Sequence, residues 1–306
     1  MGKGNQELWE QLRGMSSQMR VRAKRRFGQH FLRDTGILER IVRLIRPQPG
    51  DAVLEIGAGH GALSVQLAPM VAQLVALEID SDCLAILHAA LEPFPSAEVE
   101  PGDILTVDLS ALASRFSARR LRVVGNLPYN IATVIIQRML ASDLSFEDMT
   151  FMVQLEVAQR ITSPAGSRDY GYFSVFCGHR ADARLEFKVS PACFVPRPKV
   201  TSAIITLRRR QGVFHEEFEG AFEDLAKAAF GHRRKTLVNS LKANPRFSAG
   251  TDQLLVAAGI DGRLRPEQLS VADYERLADV WMRKNKTATE PLEDTEKERQ
   301  RKPQEQ

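Results

Sequence analysis

An α/β domain built on a mostly parallel sheet, followed by a smaller all-helical domain, is the fold that this sequence predicts. Two observations predict it. Between residues 52 and 153, short apolar runs alternate with helix-length segments, the pattern of strands covered by helices on both faces. After Arg210 the strand-like runs stop and only helical spacing of apolar residues remains.

The elements follow in order. Residues 1–24 form a basic extension: through position 26 the chain carries Lys3, Arg13, Arg20, Arg22, Lys24, Arg25 and Arg26 against only Glu7 and Glu10. Behind Asp34, a natural cap, Ile37, Leu38, Ile41, Val42 and Ile45 recur at helical spacing. Strands are expected at 52–56, 74–79, 121–124 and 149–153, within a main domain spanning 25–212. Helices are expected at 214–230, 232–242, 253–258 and 271–283, making a second domain of 213–284. Residues 285–306 hold almost no apolar side chains and alternate in charge. Such a tail cannot offset its ordering entropy and is expected to be disordered.

The chain opens without the apolar run of a secretory signal. Nowhere do roughly 20 uninterrupted apolar residues supply a membrane helix. A cytoplasmic protein with no membrane partner is therefore expected. Cys83, Cys177 and Cys193 are too widely spaced for a zinc knuckle or a disulfide framework. They read as reduced core residues, and no metal is expected. The net charge is only +4, but the basic residues cluster near the start, at Arg208 to Arg210 and at Arg233 to Lys235. Clusters of this kind suit a polyanion, because phosphate contacts supply most sequence-independent affinity for nucleic acid.

The segment VLEIGAGHGALS sets Gly57, Gly59 and Gly61 between a strand and a helix, where missing side chains let a cofactor approach the backbone. Gly57, Gly59 and Ala62 also satisfy the dinucleotide fingerprint, so a nicotinamide site is an alternative. The next strand ends at Glu78, about 20 residues on, where an acid can accept from ribose hydroxyls of either cofactor. Asp103, after a third strand, is placed to accept from an adenine amino group.

Methyl transfer is favoured over hydride transfer by Asn126-Leu127-Pro128-Tyr129. The lone pair of an adenine amino nitrogen is delocalised into the ring, so an enzyme must bond its hydrogens and turn the lone pair toward an electrophile. Asn126 offers a carboxamide oxygen, Pro128 stiffens the turn that presents the Leu127 carbonyl, and Tyr129 can stack on the base.

These segments belong to a longer ordered set: FGQHFLRD, EIGAGHGALS, LEID, GD at Gly102 and Asp103, GNLPYNIAT, FVPRPKVTSAI, FGHRRKTLVNSL and LRPEQLSVADYERLA. From about Arg25 to Lys284 the sequence resembles the ribosomal RNA adenine dimethyltransferases, which modify two adjacent adenosines near the 3′ end of small-subunit rRNA. The resemblance implies a Rossmann-like class I methyltransferase domain with a seven-stranded sheet, and S-adenosylmethionine as methyl donor. It implies donor contacts by His30, Leu32, Gly57, Gly59, Glu78, Asp103 and Asn126, and a catalytic loop of Asn126, Leu127, Pro128 and Tyr129. It also implies that Phe194 packs on the flipped target base. Arg22, Lys24, Arg25, Arg26, Arg233, Arg234 and Lys235 are expected to bind RNA, and the immature 30S subunit is the expected partner of a monomeric enzyme. His30 and Ala58 depart from the family's usual Asn and Pro, which implies altered donor affinity with activity kept. Rival readings are a large-subunit rRNA methyltransferase of the macrolide-resistance type and an assembly factor acting mainly by binding.

Overall fold

The computed structural model describes residues 29–116, 120–210, 216–232 and 234–289. The chain forms two compact units, one of Met1–Ser163 with Arg180–Gln211 and one of Pro164–His179 with Gly212–Gln306.

In chain order the strands are β1 (Phe31–Leu32), β2 (Ala52–Ile56), β3 (Gln73–Glu78), β4 (Ala97–Pro101), β5 (Leu121–Asn126), β6 (Asp148–Gln154), β7 (Ala181–Val189), β8 (Phe194–Val195) and β9 (Ser202–Arg209). Seven of them make one sheet in the order β4-β3-β2-β5-β6-β9-β7, and β1 pairs with β8 in a separate ribbon. The pairs from β4 through β6 are parallel, whereas β9 runs antiparallel to both β6 and β7. This is the seven-stranded, mostly parallel sheet that the sequence led us to expect. The central β2 is buried at all five positions, as a strand covered on both faces must be.

The helix Thr35–Ile45 turns Leu38, Ile41 and Ile45 into the core. Asp34 caps it, its Oδ1 accepting from the Ile37 amide at 2.9 Å. The helices Ser81–Leu91 and Leu109–Ser114 start in the same way, on Asp80 and Asp108. An acid after a strand thus satisfies amides that the first helical turn leaves unpaired.

The second unit has its own apolar core, with Tyr170, Val175, Phe222, Leu225, Leu237, Phe247 and Tyr274 in it. A single cut after residue 212 therefore does not describe the chain, since Pro164–His179 joins the later helices. The reason lies in its aromatic and apolar residues, with Tyr170 and Val175 inside that core. At its end His179 is fully buried, Nδ1 lying 2.9 Å from Glu275 and Nε2 3.1 Å from Glu219.

Two helices differ from expectation. His232 and residues 234–236 stay outside the helix Leu237–Lys242. The Leu237 and Val238 amides donate to the Leu264 and Gly262 carbonyls, so the first turn is satisfied by tertiary bonds in place of preceding helix. At the other end, Val271–Thr289 is one helix, which carries helical backbone past residue 285, the expected start of the tail. Residues 290–306 lie outside the described set. Among the described residues no helix is long and apolar enough to cross a membrane.

Candidate active site

From β2 the sheet continues through β3 and β4 to one side and through β5 and β6 to the other. The connections diverge there, which opens a crevice at the carboxyl ends of β2 and β5, the position where such sheets bind ligands. A cavity of about 140 Å³ occupies this crevice. Its wall is made by the turn after β2, the end of β3, the turn after β5 and the segment Gln29 to Arg33.

The turn after β2 requires glycine at Gly59. Its φ is +58°, and a Cβ there would lie 3.2 Å from the Phe31 ring. At the end of β3, Glu78 is only 4% exposed. Its two oxygens accept from the Gly59 amide at 2.7 Å and the Asp80 amide at 2.8 Å. With the Ile79 backbone as a third partner, the carboxylate's four lone-pair sites still leave room for a further donor. Burial raises the Glu78 pKa, and the amide hydrogen bonds oppose the rise.

Glu55 also lines the cavity, and sequence reasoning missed it. It is an acid in the middle of an otherwise apolar, fully buried strand, and that anomaly was its signal. The Ser64 hydroxyl donates to it at 2.5 Å. Desolvation pushes its pKa up to about 8, with the nearby Glu78 charge adding to the shift. His60 is a second missed residue. Its ring stacks on Phe31 with centroids 4.2 Å apart, and its buried Nε2 has no hydrogen-bond partner among the described residues. Desolvation first, and Arg33 second, lower its pKa to about 4, so near neutral pH it offers an uncharged ring to the cavity.

After β5 the chain makes the turn Asn126 to Tyr129. Gly125 permits it: a Cβ there would stand 2.5 Å from the Ile56 carbonyl oxygen of the neighbouring strand. Asn126 Nδ2 donates to the His30 carbonyl at 2.8 Å, which turns its Oδ1 away from that contact. Among the described residues nothing donates to Asn126 Oδ1 or to the Leu127 carbonyl. Two unsatisfied acceptors therefore belong to adjacent residues of the cavity wall. The Tyr129 ring stacks on His30 at 5.2 Å, and its hydroxyl is hydrogen-bonded to Ser202 Oγ. Burial raises the Tyr129 pKa, which keeps the phenol neutral. His30 Nδ1 lies 2.8 Å from the Pro196 carbonyl oxygen. A carbonyl only accepts, so Nδ1 carries the proton and donates.

Of the expected site residues, His30, Leu32, Gly57, Gly59, Glu78 and Asn126 to Tyr129 come together in the cavity wall. Two do not. Asp103 is not part of the wall, and its Oδ1 accepts from the Leu105 amide at 2.9 Å in a tight turn. Phe194 is also absent from the wall: it is 2% exposed and belongs to the apolar core with Leu32 and Leu38. The cause is strand alternation. Val195 faces outward at 48% exposure, so its neighbour Phe194 faces in. Of the basic residues, Arg234 and Lys235 are exposed, while Arg22, Lys24, Arg25, Arg26 and Arg233 lie outside the described residues.

As donor groups, the wall suits a charged nucleoside. It combines a close backbone approach at Gly59, a buried acceptor at Glu78, a second carboxyl at Glu55 and the orphaned Nε2 of His60. Among the described residues, no three His, Cys, Asp or Glu side chains group as a metal site.

The family model described as ribosomal RNA adenine dimethylase matches residues 20–283. The ribosomal RNA small subunit methyltransferase A of Pseudomonas syringae pv. syringae is 40% identical over 271 residues, 88% of this chain and 98% of that protein. Its namesake from Xylella fastidiosa is 42% identical over 259 residues, covering 84% and 96%. Among solved structures, a dimethyladenosine transferase from Plasmodium falciparum matches in fold with a TM-score of 0.72. It is 24% identical, with 85% and 98% of the two chains covered. The 23S rRNA methyltransferase ErmE matches with a TM-score of 0.63 at 27% identity, covering 82% and 98%.

Proposed function

Because this chain belongs to the ribosomal RNA adenine dimethylase family, we propose that it dimethylates the 6-amino groups of two adjacent adenosines near the 3′ end of small-subunit rRNA. The observation that carries the reading is the pair of unsatisfied acceptors, Asn126 Oδ1 and the Leu127 carbonyl, in the wall of the cavity. An exocyclic amine has two hydrogens for two such acceptors. The small-subunit enzymes are favoured over the macrolide-resistance type because the relatives named above reach 40–42% identity, against 27% for ErmE.

The methyl donor is S-adenosylmethionine, whose sulfonium supplies an electrophilic methyl and leaves as a neutral thioether. Glu78 accepts from the ribose hydroxyls while its other lone pairs fix the turn at Gly59. Glu55 lines the same wall; burial keeps it protonated when no cation is beside it, and it releases that proton to solvent when the donor's ammonium end binds there. Asp103, two residues past β4, lies outside the wall and is left out of the donor contacts. His30 and Leu32 close the wall from the N-terminal side. Asn126 and Leu127 bond the target amine so that its lone pair points at the methyl, and the neutral Tyr129 ring stacks on the base. Positioning supplies the rate, and no strong base is needed, since a methylated ammonium loses its proton readily. Taking the base out of its stack costs a few kcal/mol, part of which aromatic stacking restores.

The second unit and the basic residues Arg22, Lys24, Arg25, Arg26, Arg233, Arg234 and Lys235 hold the immature 30S subunit in this reading. The enzyme works as a cytoplasmic monomer. Mass spectrometry of small-subunit rRNA from cells lacking the protein tests the reading: the two dimethyladenosines disappear, and adding the purified chain with S-adenosylmethionine to those subunits restores them. Unchanged rRNA, or tight NAD binding by the purified chain, overturns it.

A further inference from the structure

We propose that residues 195–200 form a clamp for the RNA backbone at the mouth of the cavity, with Arg197 and Lys199 pairing the phosphates that flank the target adenosine. The inference rests on the RNA-methylating reading above and adds a contact surface to it.

Four observations carry it. First, the segment is tied to the catalytic turn near both ends. Pro196 accepts from the His30 ring at 2.8 Å, and Ser202, just past the other end, bonds the Tyr129 hydroxyl. His30 and Tyr129 stack on each other and both line the cavity. Second, the flanking backbone is fixed: the Arg33 amide donates to the Cys193 carbonyl at 2.8 Å and the Leu155 amide to the Thr201 carbonyl at 2.9 Å. A segment anchored this way presents its side chains in one place, which reduces the ordering cost of binding. Third, Val195-Pro196-Arg197-Pro198-Lys199-Val200 holds two cations and no acid. Among the described residues neither Arg197 nor Lys199 meets a carboxylate, whereas Arg160, Arg246, Arg263 and Arg276 are each paired with one. Fourth, Val195 and Val200 stand 48% and 43% exposed, apolar surface against which sugar faces can pack. An anionic strand with apolar sugars matches all four features, because phosphate contacts position a nucleic acid while leaving the base to be read elsewhere.

The test measures affinity for a small-subunit rRNA transcript as a function of salt, for the parent, for R197Q/K199Q and for a control pair. The control is R43Q/R46Q, two exposed arginines of the same unit that do not line the cavity. Each phosphate contact on a single strand contributes about 0.7 to the slope of log affinity against log salt. The loop variant is expected to lower the slope by about 1.4 and affinity at physiological salt roughly tenfold. Its calorimetric affinity for S-adenosylmethionine and its melting temperature stay at parental values. A parental slope in R197Q/K199Q, an equal drop in R43Q/R46Q, or a loss of donor affinity in the loop variant overturns the proposal. Failure of the parent itself to bind either this transcript or the immature 30S subunit would instead reject the functional reading beneath it.

Discussion

Burial gives Glu55 a carboxyl pKa of about 8, against an ordinary value of 4.5. Between those values the folded chain holds a proton that the unfolded chain has released. This group's contribution to stability is therefore complete below pH 4.5 and is lost as pH rises through about 8. Glu55→Gln keeps an acceptor for Ser64 and removes the titration, so the melting temperature is expected to vary less with pH across that window. A parental pH profile in the variant would assign the dependence to other groups. For Glu78, truncation to Ala strands the Gly59 and Asp80 amides and removes the proposed ribose acceptor. Calorimetry should register a donor affinity weaker by about 1–3 kcal/mol. Phe194 fills core volume in this structure, and Phe→Ala changes at such sites cost about 3–5 kcal/mol. Denaturant unfolding of Phe194→Ala is expected to show a loss of that order. If stability is retained while methylation falls, the ring belongs at the target base after all. At this scale the sequence made Glu78 and Asn126 legible because each ends a recognisable strand. It did not reveal what Asn126 bonds, because its partner His30 lies 96 positions away.

The parallel half of the sheet was readable from its apolar runs, since strands covered on both faces leave no room for polar residues. The edges were not. In β4, Ala97–Pro101, the sequence AEVEP looks like loop, yet its two glutamates share an ion pair with Arg115. Along β7, ADARLEFKV mixes buried and exposed positions and carries a register shift between Leu185 and Phe187. Neither pattern rises above its surroundings until the neighbouring strand supplies hydrogen bonds. The parallel pairing of β2 with β5 leaves less room at Gly125 than at the site's other glycines. Gly125→Ala would force a Cβ to 2.5 Å from the Ile56 carbonyl, and backbone has nowhere to retreat within a paired sheet. Purified Gly125→Ala is expected to be strongly destabilised and to have lost measurable donor binding in calorimetry. Wild-type affinity in a stable variant would mean that the two strands separate more easily than their pairing implies.

Charge organises the molecule at the largest scale. The basic residues proposed to hold RNA fall at both ends of the main domain in sequence, Arg22 to Arg26 across its N-terminal boundary and Arg233 to Lys235 after it. Neutralising both clusters together should flatten the salt dependence of RNA binding beyond either alone, whereas a parental slope would return them to solvated surface. The wall of the cavity also has a schedule. It draws on residues from Gln29 to Ile204, and β1 pairs with β8, more than 160 positions later. Contacts this distant in sequence form late. During synthesis, β2, β3 and β5 can pair long before β8 exists, but the wall of the cavity is complete only when the segment through Ile204 has left the exit tunnel. A nascent chain therefore lacks part of this wall until more than two thirds of it has been made.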